Sequence, residues 1–92
     1  MAIQAFRNKG LEELFVNGRT KRIGNRVHGK IIELMDIIDA AADLRDLRGI
    51  GAFHPLTGKR KGQYAMTVTA NWRITFKFSD GDAADLDYED YH

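Results

Sequence analysis

Apolar residues occupy every even position from Tyr64 to Phe78, and the odd positions between them are mostly polar. A period of two is typical of β-strands that bury one face. The run is too long for one ordinary strand, and Ala70-Asn71-Trp72 is the best place for a turn because Asn tolerates a left-handed backbone. The pattern therefore predicts a β-hairpin whose buried face carries Tyr64, Met66, Val68, Ala70, Trp72, Ile74, Phe76 and Phe78.

The parity of this pattern predicts the register of the hairpin. Residues that pair directly across two strands lie on the same face of the sheet. The even positions stay together on both strands only if the loop has an odd number of residues. We therefore expect Thr69 opposite Arg73 and Val68 opposite Ile74.

The same test applies to the next turn, where Asp80-Gly81 is a typical two-residue hairpin loop. That loop would place the apolar Phe76 against Asp85. A three-residue loop, Ser79-Asp80-Gly81, pairs Phe76 with Ala84 instead, so the pattern favours the longer loop.

The odd positions gather on the polar face of this predicted sheet, and Arg73 then lies beside Asp87 or Glu89. A cross-strand ion pair on a solvated face contributes at most ~1 kcal/mol. The predicted polar face comprises Thr67, Thr69, Arg73, Thr75, Lys77, Asp85, Asp87 and Glu89.

The first half of the chain has mostly helical spacing. A short strand is predicted over Ala2 to Phe6, and a short helix over Gly10 to Asn17 that ends at Gly18. The main helix is predicted from about Asn25 to Asp43, with Asn25 as its amino-terminal cap, and it should pack on the sheet.

Length and composition indicate one globular domain over residues 1–92 of the 92-residue chain. The chain has no cysteine, which excludes disulfides and thiolate chemistry and is compatible with a reducing cytoplasm. No apolar run approaches the ~20 residues that cross a bilayer. We therefore expect a cytoplasmic protein without a membrane partner.

The formal net charge of +1 conceals a separation of charge along the chain. Every charged residue between Leu47 and Ser79 is basic, and every charged residue from Asp80 onward is acidic. Basic segments attract phosphate backbones. The alternative is a solvated loop and, for the acidic residues, an edge strand that resists aggregation. The basic residues are Arg48, Lys59, Arg60, Lys61, Arg73 and Lys77.

Proton-transfer groups stand at two places. His54 precedes the only proline and leads into the glycine-bounded basic loop, while Asp90, Tyr91 and His92 are consecutive. An imidazole titrates near neutrality and suits general acid/base work. His54 alone would usually be structural, and a terminal His alone is most simply an unimportant tail.

Three motifs together change this balance: Ala70-Asn71-Trp72-Arg73-Ile74-Thr75-Phe76, His54-Pro55-Leu56 and the ending Tyr88-Glu89-Asp90-Tyr91-His92. In their order along the chain, these motifs resemble the HigB toxins, a branch of the RelE superfamily of toxin–antitoxin ribonucleases. The resemblance implies an α+β, RelE-like fold, in which a small twisted, mainly antiparallel sheet carries two to three N-terminal helices on one face.

The resemblance also implies an activity: ribosome-dependent cleavage of mRNA in the decoding (A) site, by attack of a 2′-hydroxyl on the scissile phosphate, without metal or other cofactor. The implied catalytic residues are His54, Arg73, Asp90, Tyr91 and His92. We expect Lys59, Arg60, Lys61 and Lys77 to bind the RNA. Where relatives can carry basic residues this chain has Thr57 and Thr69, so phosphate contacts are expected to shift to Lys59 and Lys61.

The implied partners are the ribosome and a neighbouring helix-turn-helix, HigA-like antitoxin, with operator DNA bound only through the toxin–antitoxin complex. The main alternative is a non-catalytic module that uses the same fold to bind RNA or a repressor partner. A third option is a ribonuclease that cuts naked RNA.

Overall fold

Four antiparallel strands form one sheet with the strand order β1-β2-β3-β4 in this computed structural model, which describes residues 1–91. The strands are β1 (His54–Pro55), β2 (Gln63–Thr67), β3 (Trp72–Ser79) and β4 (Asp82–Asp90). The predicted hairpin is β2–β3, and of its even positions Met66, Ile74 and Phe76 are buried, whereas Ala70 and Trp72 at the turn are exposed, contrary to the prediction. The alternation along the sequence therefore identified the centre of the sheet.

Two α-helices precede the sheet, α1 (Lys9–Asn17) and α2 (His28–Ala40). The side chain of Asn8 accepts a hydrogen bond from the backbone of Leu11 at the start of α1, and Gly18 ends the helix with φ 76. The prediction for α1 is confirmed. No helix within residues 1–91 is long and apolar enough to span a membrane.

The predicted start and end of the main helix are wrong. Asn25 begins a 3₁₀ turn, Asn25–Val27, so it lies inside a helical turn and does not cap α2. Val27 takes the capping position without a side-chain hydrogen bond. The helix ends at Ala40 rather than Asp43, because the Asp43 side chain caps the next 3₁₀ turn, Leu44–Leu47.

Both helices pack on one face of the sheet, which confirms the predicted α+β architecture. Their buried residues share a single cluster with the apolar side chains of the strands. This core includes Leu11, Leu14, Ile31, Leu34, Met35, Ile38, Met66, Ile74, Phe76 and Leu86. The opposite face is left for polar side chains.

The predicted first strand pairs only loosely. Ile3 and Phe6 form isolated parallel bridges to Ala83 and Leu86. The backbone N–H of Gln4 donates to the Ala83 carbonyl at 2.8 Å. The N-terminal segment therefore runs along β4 and covers an edge of the sheet that would otherwise expose unpaired backbone groups.

The β2–β3 register confirms the parity argument but not the predicted partners. Arg73 lies opposite Thr67 rather than Thr69, and Ile74 lies opposite Met66 rather than Val68. Thr69 belongs to the turn, where its hydroxyl accepts a hydrogen bond from the backbone N–H of Trp72 at 3.2 Å. The hydroxyl competes for a backbone group that a longer ladder would use.

The three-residue loop predicted between β3 and β4 is wrong. Ser79 pairs with Asp82, which leaves the two-residue turn Asp80-Gly81, with φ 52 and φ 82. The parity is restored by a β-bulge, because the register shifts between Thr75 and Lys77. Two residues of β4, Asp85 and Leu86, thus oppose one residue of β3.

The bulge decides which side chains of β4 join the polar face. Asp85 adopts a left-handed backbone with φ 54, and the following Leu86 is fully buried. Beyond the bulge, Thr75 pairs with Asp87 and Arg73 pairs with Glu89. One inserted residue therefore places an acidic side chain directly across from Arg73.

Replacing Asp85 tests this bulge. We expect Asp85→Val to lower the free energy of unfolding by about 1–2 kcal/mol, because a β-branched residue is strained at positive φ. Asp85→Asn should stay within about 0.5 kcal/mol, since Asn tolerates this conformation and the Lys77 pair it removes is exposed. Urea unfolding measures both. Equal costs for the two variants would contradict the bulged geometry.

Candidate active site

The polar face of the sheet brings His54 and Arg73 to the same side. His54 pairs with Ala65, and Ala65 pairs with Thr75 in the next strand. Arg73 stands two residues from Thr75 along β3 and pairs with Thr67. Since directly paired residues share a face, the imidazole and the guanidinium belong to neighbouring rows of one surface.

Arg73 is held between an aromatic ring and a carboxylate. Its Cζ lies 4.8 Å from the centroid of the Tyr91 ring, and its Nη2 lies 3.9 Å from Glu89 Oε1. The side chain is only 16% exposed. Its buried Nε has no hydrogen-bond partner among residues 1–91. A desolvated cation with an unused donor is thus fixed on a rigid strand.

Tyr91 is tied to the sheet at both its backbone and its side chain. Its N–H donates to the Asn71 carbonyl at 2.8 Å, and its hydroxyl shares a hydrogen bond with Thr67 Oγ1 at 2.9 Å. The side chain remains 38% exposed. These bonds hold the ring beside Arg73 while leaving part of it open to a ligand.

Asp90 pairs with Trp72, one position away from the Arg73–Glu89 pair. Alternation along a strand directs its side chain to the face opposite that of Arg73. His92 lies outside the described residues. Within residues 1–91, the predicted catalytic set therefore divides into His54, Arg73 and Tyr91 on one face and Asp90 on the other.

His54 is partly exposed at the edge strand β1. Its Nδ1 lies 2.8 Å from the carbonyl oxygen of Ala52, which only accepts hydrogen bonds. The Nδ1 atom therefore carries the proton, and in the neutral ring Nε2 is the nitrogen that can take one up.

Glu89 is the residue of the candidate site whose contacts the sequence did not reveal. Arg60 donates to both of its carboxylate oxygens, Nη1 to Oε1 and Nη2 to Oε2, each at 2.6 Å. The Thr75 hydroxyl donates a further hydrogen bond to Oε2. The hydrogen bonds from Arg60, assisted by Thr75 and by the charge of Arg73, lower the pKa of Glu89 from 4.5 to about 2.

The predicted RNA-binding cations differ in their surroundings. Lys59 and Lys61 are exposed on the loop that contains the 3₁₀ turn Gly58–Arg60. Lys77 is exposed and lies 3.5 Å from Asp85. Arg60 turns back over the sheet instead, and besides Glu89 it contacts Gln63 Oε1 through Nη2 at 2.7 Å. The alternation along the strands predicted that Arg73 lies near Asp87 or Glu89. No local sequence pattern predicts a contact between residues 60 and 89.

Among residues 1–91, no group of three or more His, Cys, Asp or Glu side chains is arranged to hold a metal ion. The described site therefore presents a guanidinium, an imidazole, a phenol and exposed lysines. These groups suit an anionic ligand such as a phosphodiester.

Two solved structures share the fold of this chain. The chain resembles the YoeB/ParE toxin from Agrobacterium tumefaciens with a TM-score of 0.62 at 18% identity, covering 97% of this chain and 99% of that one. It also resembles the YoeB-YefM complex from Staphylococcus aureus with a TM-score of 0.60 at 21% identity, covering 100% and 99%. At these identities the likeness defines the fold alone.

Sequence comparison places the chain in a particular branch. It belongs to the HigB-like toxins, the RelE-like toxins of type II toxin–antitoxin systems, whose family model matches residues 4–92. It is 45% identical over 91 residues to Endoribonuclease HigB of Proteus vulgaris, covering 98% of this chain and 99% of that protein. The predicted family is confirmed, and an antitoxin is the partner of such a toxin.

The Arg60–Glu89 pair makes stability depend on pH. The pKa of Glu89 is lower in the folded protein, about 2 against 4.5. Its contribution to the free energy of unfolding is therefore complete above pH 4.5 and is lost as the pH falls toward 2. Glu89→Gln should cost about 1–2 kcal/mol at neutral pH, allowing for solvent screening of a partly exposed carboxylate. Urea unfolding of both proteins at a series of pH values measures this difference.

The difference should shrink progressively between pH 4.5 and 2, because the wild-type carboxylate then becomes protonated too. A matched control is Glu12→Gln, which removes an exposed carboxylate that lies 3.5 Å from Lys9 on α1. Its effect should be small throughout. A Glu89→Gln cost that is independent of pH would contradict the ion-pair assignment.

Proposed function

We propose that this toxin is an endoribonuclease that cleaves mRNA by attack of a 2′-hydroxyl on the adjacent phosphate. The observation that carries this proposal is the guanidinium of Arg73, held beside the Tyr91 ring on the face of the sheet that also carries His54. Membership of the HigB-like family and the similarity to a protein named as an endoribonuclease support the same activity.

Arg73 stabilises the charge that grows on the phosphate oxygens in the transition state. A planar guanidinium matches these oxygens and stays protonated throughout the reaction. Its position on β3, between Tyr91 and Glu89, fixes its orientation before the RNA binds. Preorganised charge of this kind is usually the largest single contribution to catalysis.

Proton transfer is assigned to two of the three histidines, His54 and His92. His54 can accept the proton of the 2′-hydroxyl at Nε2, because the Ala52 carbonyl fixes the proton on Nδ1. His92 is the proposed partner that protonates the leaving 5′-oxygen. Asp90 is proposed to orient a histidine or to act as a base itself. Because alternation places its side chain on the face opposite that of Arg73, either role requires this side chain to reach the site around the end of β4.

Tyr91 serves the site through its ring and its hydroxyl. The ring supports the Arg73 guanidinium by a cation–π contact, and its exposed part can stack on a base. The hydroxyl is held by Thr67. Lys59, Lys61 and Lys77 are proposed to contact the flanking phosphates of the RNA.

The proposal includes the ribosome, which presents mRNA in its A site, and therefore a cytoplasmic location. The antitoxin is proposed to be a HigA-like helix-turn-helix protein, with operator DNA bound through the toxin–antitoxin complex. The single polar face, with the exposed lysines Lys59, Lys61 and Lys77, is better suited to a substrate that is already positioned than to capture of free RNA.

Arg73→Ala tests the catalytic assignment. Removing one preorganised donor from such a site should lower the rate of mRNA cleavage on programmed ribosomes by about 100-fold or more. Mapping of 5′ ends, with and without ribosomes, follows the reaction, and growth arrest on induction provides a cellular readout. Cleavage of naked RNA at a similar rate would contradict the dependence on the ribosome.

Lys30→Ala is the matched control, because it removes an exposed cation on α2. It should leave cleavage and growth arrest unchanged. Urea unfolding must show that Arg73→Ala is folded. Growth arrest by folded Arg73→Ala would favour the non-catalytic RNA-binding or partner-binding module.

Two substitutions of Tyr91 separate the roles of its ring and its hydroxyl. Tyr91→Phe retains the ring beside Arg73 and should reduce cleavage by less than about fivefold, whereas Tyr91→Ala removes the cation–π contact and should cost about 10–100-fold. Single-turnover cleavage on ribosomes measures both. Equal losses would indicate that the hydroxyl, not the ring, contributes to the reaction.

A further inference from the structure

We propose that Arg60 is a positioning residue: by occupying the carboxylate of Glu89, it keeps the guanidinium of Arg73 available for a phosphate of the RNA. This role differs from the RNA contact that the basic loop suggested for Arg60. It rests on the proposed function, because it matters only if Arg73 binds the scissile phosphate.

Both carboxylate oxygens of Glu89 already accept hydrogen bonds. Arg60 engages both carboxylate oxygens at 2.6 Å, in the bidentate arrangement that is strongest for such pairs. Thr75, itself 2% exposed, donates to Oε2 as well. Gln63 fixes Arg60 from the other side, with Oε1 accepting from Nε at 3.1 Å and from Nη2 at 2.7 Å.

Arg73 is the directly paired neighbour of Glu89, yet it stands outside this arrangement. Its Nη2 lies 3.9 Å from Oε1, beyond hydrogen-bond distance, and its Nε has no partner within residues 1–91. A carboxylate this close would ordinarily form a bidentate pair with the guanidinium. The two oxygens of Glu89 accept hydrogen bonds from Arg60 and Thr75 instead.

The two arginines therefore have different roles although both flank one acid. A carboxylate paired directly with Arg73 would neutralise it and compete with a phosphate for the same donors. Shared between Arg60 and Thr75, the carboxylate still orients Arg73 electrostatically but forms no hydrogen bond with its Nη2, and the Arg73 Nε has no partner within residues 1–91. Side-chain exposures of 36% for Arg60, 22% for Glu89 and 16% for Arg73 place the whole arrangement partly out of solvent.

The test removes Arg60 and then the competing charge. In Arg60→Met, Glu89 should turn to Arg73, and single-turnover cleavage on ribosomes should slow by about tenfold while KM changes little. In the double variant Arg60→Met/Glu89→Gln the competing carboxylate is absent, so the rate should return to that of Glu89→Gln alone. A residue that only gripped RNA would raise KM and would not be rescued.

Three results would overturn the inference: wild-type cleavage by Arg60→Met, a double variant as slow as Arg60→Met, or complete loss of cleavage in Glu89→Gln. Urea unfolding controls for folding. If Arg60→Met does not fold, Arg60→Lys replaces it, since one ammonium cannot engage both carboxylate oxygens as a guanidinium does. The slowing should then be smaller and should again be reversed by Glu89→Gln.

A second readout needs no RNA. The side-chain Nε–Hε resonance of Arg73, assigned by comparison with Arg73→Lys, should shift in Arg60→Met and return in the double variant. A shift without any catalytic effect of Arg73→Ala would mean that the pairing is right and the proposed function is wrong. No shift would refute the pairing itself.

Arg45→Met is the matched control. Arg45 also pairs with a carboxylate, since its Nη2 lies 2.8 Å from Asp43 Oδ2, but this carboxylate caps a 3₁₀ turn after α2. Its removal should leave the rate of cleavage and the Arg73 resonance as in the wild type. An equal slowing in this control would attribute the Arg60 effect to a general loss of stability.

Discussion

The carboxylate of Glu89 is the point on which the polar face of this protein depends. Arg60 reaches it from the loop before β2, Thr75 and Arg73 reach it from β3, and its own strand places it across from Arg73. Three segments that are distant in sequence thus meet around one charge. Because burying a charge is costly without partners, the loop, the hairpin and β4 must all be in position before this site is stable.

The sequence was most informative where one physical rule dominated. Alternation predicted the central hairpin, and helical spacing with Gly18 predicted α1, because burial alone sets these patterns. Errors arose where two rules competed. The Thr69 hydroxyl bound the turn backbone instead of joining the ladder, and Asp43 capped a 3₁₀ turn instead of continuing α2. Both are side-chain-to-backbone hydrogen bonds that periodicity does not register.

The candidate site was predictable to a similar extent. The place of Arg73 on a polar face beside an acidic residue followed from parity, and Tyr91 proved to contact it. The assignment of Arg60 to the same class as Lys59 and Lys61 followed from composition, which cannot tell a cation that faces solvent from one that folds back on the sheet. That difference depends on a contact spanning 29 residues along the chain.

The bulge at Asp85 divides β4 into two segments, and the alternation of side chains between the two faces of the sheet is set separately in each. Before the bulge, the pairing register of β4 is set by the turn at Asp80-Gly81. After the bulge, the register places Glu89 opposite Arg73. An insertion or deletion in the hairpin turn can therefore be compensated by gaining or losing the bulge. The side chains of β4 that follow the bulge then stay on the same face of the sheet. In comparisons among relatives, gaps near residue 85 should be placed to keep the acid opposite the arginine aligned, even when the turns differ in length.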